Sequence, residues 1–247
     1  MLHTDVAPGV HRLAHADVNV YLIEDDAGVT VVDTGLPATA GRIEEAISRI
    51  GRRIDDVQGV VLTHAHFDHV GSAKRLRERW RVPVWAHRDE KFLAAHPYRY
   101  QHERNRLLYP VRYPACIPVL ARMTVAGALW VRGVHDVTLF QDSQPLDLPG
   151  RPVPLHTPGH TYGHCALHLP DRDTVIVGDA IVTLDPYTGR HGPQIVSGAA
   201  TADSRTALAS LAAIAGTGAK HVLVGHGEPW HDGAAVAVER AVAAGPS

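Results

Sequence analysis

The chain has 247 residues, 45% of them hydrophobic, and a formal net charge of −2 at pH 7. A chain of this length can bury roughly 70% of its unfolded surface, so folding needs no disulfide framework, and Cys116 and Cys165 are too few to build one. The near-neutral charge gives no electrostatic ground for nucleic acid or an anionic membrane as a partner. No run reaches the roughly 20 apolar residues of a membrane span, and Met1–Val10 lacks the basic patch and apolar core of a signal peptide, so a cytoplasmic location is expected.

Short strands are predicted at Val10–Leu13, Val18–Glu24 and Val29–Asp33, with the turn signal Asp25-Asp26-Ala27-Gly28 between the last two. From Ala38 to Ile50, Ile43, Ala46, Ile47 and Ile50 recur at helical spacing, and Gly51 closes the segment. A strand at Gly59–Thr63, a helix at Ser72–Trp80 and a buried strand at Val82–Ala86 follow. Phe92–Val134 breaks the pattern, with Tyr98, Tyr100, Tyr109 and Tyr113 interleaved with arginines and with Pro97, Pro110, Pro114 and Pro118. Two readings stay open for it: a helical hairpin packed on the body or on a second copy in a homodimer, or a lid over a substrate pocket.

The second half repeats the style, with strands at His135–Phe140, Gln144–Leu148, Val153–His156, Cys165–Leu169 and Thr174–Gly178. A helix from Ala202 to about Ala215, a strand at His221–Val224 and a last helix near Gly233–Ala244 complete it. Strand runs followed by helix–strand pairs, twice over, predict an α/β chain of two sheets covered by helices on their outer faces. No linker or repeat divides it, so residues 1–247 are expected to form one domain with an insertion at about 92–134.

The 18 histidines are the one abnormal count, and they cluster where a strand gives way to a helix: His64-Ala65-His66-Phe67-Asp68-His69. In an extended loop, residues two apart face the same side, so His64 and His66 can converge on one ion. Asp68 and His69, where the chain turns into the helix, can reach a second. Imidazole nitrogen and carboxylate oxygen suit zinc, manganese and iron alike. Further ligands are offered at strand ends by His160 in Thr157-Pro158-Gly159-His160, Asp179 in Gly178-Asp179, and His226 in Gly225-His226-Gly227.

These motifs, in this order and together with Val31-Val32-Asp33-Thr34-Gly35, resemble the metallo-β-lactamase superfamily over essentially the whole chain. The resemblance implies a four-layer αββα sandwich with a binuclear site at one edge of the two sheets. It implies that His64, His66 and His160 hold one metal, that Asp68, His69 and His226 hold the other, and that Asp179 bridges them. The expected cofactors are two divalent ions, zinc first, with iron or manganese as alternatives. Asp33 is expected to support the ligands from behind, and Asp68 to double as a proton carrier.

Two such ions would lower the pKa of a shared water from about 15.7 toward neutrality, giving a bridging hydroxide without a serine or cysteine nucleophile. Aspartate rather than cysteine at the bridging position resembles glyoxalase-II-like enzymes, so a small-molecule carboxylic ester, thioester or lactone is the expected substrate, with Tyr187 a candidate to bind its carbonyl. The alternatives are a mononuclear iron enzyme oxidising persulfides through His64, His160 and Asp179, β-lactamase or phosphodiesterase activity on the same fold, and a non-catalytic binding module. His164, His156, His168, His87, His221 and Cys165 are expected to be structural.

Overall fold

The computed structural model describes residues 1–141 and 143–247. In the first sheet β1 (Leu2–Ala7), β2 (Val10–His15), β3 (Val18–Asp25), β4 (Gly28–Val32), β5 (Val57–Val61), β6 (Val84–His87) and β7 (Thr138–Phe140) lie in that spatial order. Pairing is antiparallel from β1 to β4 and parallel from β4 to β7. The parallel half is crossed over by α1 (Ala40–Arg49), α2 (Phe67–Val70) and α3 (Ala73–Trp80). The insertion contributes α4 (Lys91–Ala95), α5 (Tyr109–Arg112) and α6 (Ile117–Val125).

The second sheet uses β8 (Val153–His156), β9 (Cys165–Leu169) and β10 (Thr174–Gly178). A ribbon of β11 (Val182–Leu184) with β12 (His191–Gln194), then α7 (Ser204–Ala215), β13 (His221–Val224) and α8 (Ala234–Ala244), complete the chain. The sheet order is β13-β10-β9-β8, with β13 parallel to β10 and the other pairs antiparallel.

Alternation along the strands makes the layers, because successive side chains leave a strand on opposite faces. On β3, Val20 and Leu22 join Ile43, Ile47 and Leu76 beneath α1 and α3, whereas Tyr21 and Ile23 point inward. On β10 and β13, Val175, Val177, Val222 and Val224 pack under α7 and α8, whereas Ile176 and Leu223 meet Leu167 and Tyr21 between the sheets. Three apolar layers separate four structural ones, which is the αββα sandwich. At roughly 1.5–3 kcal/mol for each large side chain taken from water, the middle layer is what fastens one sheet to the other.

Polar ties fix the two sheets at the edge that matters. Asn19 Nδ2 donates to the carbonyls of Val224 and Gly227, both at 2.8 Å, and the Tyr21 hydroxyl donates to the Val224 carbonyl at 2.7 Å. Cys165 N donates to the Thr63 carbonyl at 2.9 Å. Strand ends from both halves are thereby held side by side.

Several expectations need correction. The sequence pattern does not predict β1, nor the β11–β12 ribbon, whose second strand reads His191-Gly192-Pro193-Gln194 and carries no strand signal. Gln144–Leu148 is not a strand: Pro145 and Pro149 cannot donate to a ladder, and the segment turns with Leu148 N donating to the Leu146 carbonyl at 2.9 Å. Leu146 and Leu148 are nonetheless buried, so their alternation reports burial without pairing. The insertion is not a helical hairpin. Its prolines chop it into three short helices joined by tight 3₁₀ turns.

Candidate metal centre

His64 and His66 stand in the extended stretch between β5 and α2, while Asp68 and His69 lie on α2 itself. His160 belongs to the β8–β9 loop, Asp179 follows β10 and His226 follows β13. All seven are buried, none more than 6% exposed. Seven polar side chains meeting in one place would be costly as a plain interior.

The candidate donor atoms fall into overlapping groups, His64 with His66 and His160, Asp68 with His69 and His226, and His64 with His69 and Asp179, each within 4.8 Å. Asp179 lies among them all. Its Oδ2 is 3.4 Å from His160 Nε2, 3.2 Å from His226 Nε2 and 3.9 Å from His64 Nε2, and its Oδ1 is 3.4 Å from His69 Nε2. Asp68 Oδ2 is 3.3 Å from His226 Nε2. Ligands about 2.0–2.1 Å from a tetrahedral ion are roughly 3.3 Å from one another, so the donor set fits such ions.

The hydrogen bonds behind the imidazoles set their tautomers. His69 Nδ1 faces Asp33 Oδ2 at 2.9 Å, and His226 Nδ1 faces the Asp17 carbonyl at 2.6 Å, so each Nδ1 must carry the proton. His64 Nδ1 lies 3.1 Å from Thr63 Oγ1, whose own proton goes to Asp33 Oδ2 at 2.8 Å. His160 Nδ1 lies 3.3 Å from Thr201 Oγ1, whose proton goes to the Val196 carbonyl at 2.7 Å. Both hydroxyls are spent as donors, so both imidazoles donate through Nδ1 and keep a bare Nε2. The Nε2 atoms of His64, His66, His69 and His160, with Asp179 Oδ1, are buried without a hydrogen-bond partner. Orphaned lone pairs aimed at one spot are what a metal would satisfy.

Electrostatics divide the histidines into two sets. Burial holds His64 and His160 well below the usual imidazole range, and drives His66 down to about 3. Burial also opposes charge on His69 and His226, but Asp179, with Asp33 and Asp68 at His69 and with Asp68 at His226, outweighs it. His69 is pushed well above its ordinary value and His226 up to about 10, so a metal ion binding there would have to displace a proton from each Nε2. In return those histidines hold the Asp179 carboxyl well below the usual range against its burial. A surplus of carboxylate charge thus sits on the Asp68–His69–His226 side.

Close approach requires glycine at one point. A Cβ on Gly225 would fall 2.0 Å from Asp179 Oδ1 and 2.9 Å from His69 Cε1, so any side chain there would displace the central carboxylate.

Asp33 stands behind His69 and Thr63. Its Oδ1 accepts from Thr63 N at 2.8 Å and its Oδ2 serves both Thr63 Oγ1 and His69 Nδ1. It does so from left-handed backbone, φ 57°, a conformation that costs roughly 1–3 kcal/mol and persists only where its surroundings impose it. His164 does more than the sequence indicates. Its Nε2 accepts the backbone N–H of Asp179 at 3.1 Å while Nδ1 pairs with Thr157 Oγ1 at 2.8 Å, and burial keeps it neutral with a pKa of about 3.

Tyr187 lies between β11 and β12 with its hydroxyl 3.3 Å from that of Tyr100. Burial, with Tyr100 beside it, pushes its ionisation well above the usual tyrosine range. Tyr100, from the insertion, is not singled out by the sequence for the site; its ring lies 4.3 Å from that of His66, and Arg106 Nη1 donates to its hydroxyl at 2.7 Å. A small cleft of about 120 Å³ opens beside His160, lined by Phe92, Leu93, Arg99, Tyr100 and Tyr162. His87 and His156 stack at 4.8 Å away from the seven, His168 and His221 are half-buried, and Cys165 is fully buried.

A family model described as the metallo-beta-lactamase superfamily matches residues 15–226. The chain belongs to that superfamily. A probable metallo-hydrolase of Bacillus subtilis, YflN, is 31% identical over 245 aligned positions, spanning 91% of this chain and 86% of the relative. A metallo-beta-lactamase family protein of Thermus thermophilus superposes with a TM-score of 0.67 at 25% identity, covering 94% of this chain and 78% of that one. A Cronobacter sakazakii metallo-beta-lactamase with a HARLDQ motif reaches 0.68 at 20% identity over 99% and 95% of the two chains, a likeness of fold. The clustered histidines and aspartates thus lie within a metallo-beta-lactamase sandwich, at the edge where both sheets end. Among the described residues no helix is long and apolar enough to cross a membrane.

Proposed function

We propose that this chain is a binuclear metal-dependent hydrolase of carboxylic esters, thioesters or lactones. The observation that carries it is the convergence of bare imidazole Nε2 atoms on Asp179, with the Nδ1 atoms of His64, His69, His160 and His226 already engaged. His64, His66 and His160 would hold one ion, Asp68, His69 and His226 the other, and Asp179 both. Two divalent ions at such a centre supply a nucleophile from water near neutral pH and polarise the scissile carbonyl. The relatives named as probable metallo-hydrolases support the reaction class.

The chain's own residues then divide the work. Asp33, Thr63, Thr201 and the Asp17 carbonyl orient the imidazoles, so that little reorganisation remains when substrate arrives. Asp68, at 8% side-chain exposure, would carry a proton toward the leaving group. Tyr100, whose ring lies against that of His66, and Tyr187, whose hydroxyl is 3.3 Å from that of Tyr100, would offer hydroxyls to a carbonyl oxygen, and the cleft beside His160, where Phe92 and Leu93 stand among polar neighbours, would take an acyl chain or ring. No serine or cysteine nucleophile enters.

Metal analysis combined with a panel of thioesters, lactones, carboxylic esters, β-lactams and bis(p-nitrophenyl) phosphate tests this. Two ions per chain and fastest turnover on an acyl substrate are expected. One iron per chain with oxygen-dependent persulfide consumption, or preference for the phosphodiester, would overturn it.

A further inference from the structure

Glu90 closes the tight turn Arg88–Glu90 after β6, and it belongs to none of the motifs that mark the metal centre. It is 1% exposed. Its two carboxylate oxygens serve different loops: Oε2 accepts from Ala65 N at 2.7 Å, and Oε1 accepts from Gly163 N at 3.0 Å. Ala65 is the residue between His64 and His66. Gly163 lies in the loop that carries His160 and immediately precedes His164, whose ring holds the backbone of Asp179.

One buried carboxylate therefore spans the ligand loop of the first sheet and that of the second. A second, independent observation concerns the packing of the same loop. A Cβ on Gly163 would fall 2.8 Å from Glu90 N and 2.9 Å from the Asp89 carbonyl carbon, so the loop rests directly on the backbone of the Glu90 turn. Burying a carboxylate is costly, and burial pushes the Glu90 carboxyl up from its ordinary value, against the Thr161 hydroxyl and the two N–H donors. Two stray N–H groups could be satisfied more cheaply by water. What an acid offers instead is two acceptor oxygens at a fixed separation.

We infer that Glu90 is a positioning residue that sets the distance between the His64–His66 loop and the His160 loop, and so the shape of the site those three histidines form. The inference rests on the metal-centre reading above. Glutamine has one acceptor oxygen, and its amide nitrogen would confront an N–H donor. Glu90→Gln therefore cuts one of the two tethers while keeping size and shape. Gly163→Ala keeps the carboxylate and lifts the loop away from it.

Cobalt(II) is the probe, added to chelator-treated parent and variant proteins. The readouts are the visible absorption of bound cobalt, its affinity by competition with a chromophoric chelator, and thermal unfolding of each metal-free protein. For Glu90→Gln we expect cooperative unfolding, an altered cobalt spectrum and, for the His64–His66–His160 site, affinity lower by about 10–100-fold, the range for groups that orient ligands. Gly163→Ala is expected to alter the spectrum in the same way, and it decides the matter should Glu90→Gln not fold. Parent-like spectrum and affinity in a folded variant would overturn the inference, as would lowered melting of the metal-free protein with an unchanged spectrum, which marks a purely structural role. Failure of the parent itself to take up two cobalt equivalents would instead sink the metal-centre reading and the inference with it.

Discussion

An imidazole can ligate a metal only through the nitrogen its own hydrogen bonds leave bare, so the residues behind the histidines decide as much as the histidines do. Asp33 holds Thr63 N, Thr63 Oγ1 and His69 Nδ1 at once. Asp33→Ala should therefore loosen both ligand groups, with metal affinity falling about 10–100-fold in chelator competition. It should also cost roughly 1–3 kcal/mol for each buried donor left unpaired, read as a lower unfolding midpoint of the metal-free protein. Asp179→Ala should lose or only loosely hold both ions by elemental analysis; full metal content and unimpaired turnover would refute its central role. His226→Ala should empty the Asp68–His69 side selectively. The seven candidate ligands are legible because each stands within a short, recognisable run in a segment that leaves a strand. The roles of Glu90, His164 and Thr201 are not, because they act through hydrogen bonds to residues far off in sequence, which no local pattern records.

At the scale of elements the informative segment is the insertion. Its tyrosines and arginines are visible in the sequence, but its shape is not, since four prolines and alternating short turns leave no period to read. Tyr98 fastens its two ends together, donating to the Ala128 carbonyl and accepting from Val131 N, both at 2.8 Å. That fixes Tyr100 over His66, with Arg106 donating to the Tyr100 hydroxyl. Because Arg106 can only donate, the Tyr100 proton is free to turn toward Tyr187, and the Tyr187 proton toward a substrate oxygen. If the insertion shapes the pocket, Tyr100→Ala should raise KM or reorder preferences among acyl substrates while metal content stays at the parent level. Unchanged kinetics across the substrate panel would make it a packing element only. The strands read more faithfully, since β3, β10 and β13 alternate between two apolar layers and carry that periodicity openly.

The whole molecule is a sandwich whose two sheets each supply part of one centre. His64, His66, Asp68 and His69 come from the first, and His160, Asp179 and His226 from the second. The sheets are joined by the middle apolar layer and by the few hydrogen bonds at their common edge. Any motion that parts them must also pull the ligands apart, so metal binding and sheet-to-sheet packing should be thermodynamically linked. With free metal at 100 times its dissociation constant, binding to the native state alone stabilises by about 2.7 kcal/mol for each site. For a chain of this size roughly 1 kcal/mol moves the melting point by about 2–4 °C, so chelation should lower it by at least several degrees. Leu167, fully buried between the sheets, gives the complementary perturbation. Leu167→Ala should cost about 2–5 kcal/mol, the usual range for a leucine removed from a packed interior. Added metal should restore part of that loss, and metal release should coincide with unfolding when heating is followed by a chelating dye and by circular dichroism together. Metal released well before the sheets separate, or a melting point indifferent to chelation, would mean that the centre is held by one sheet and does not bind the two halves together.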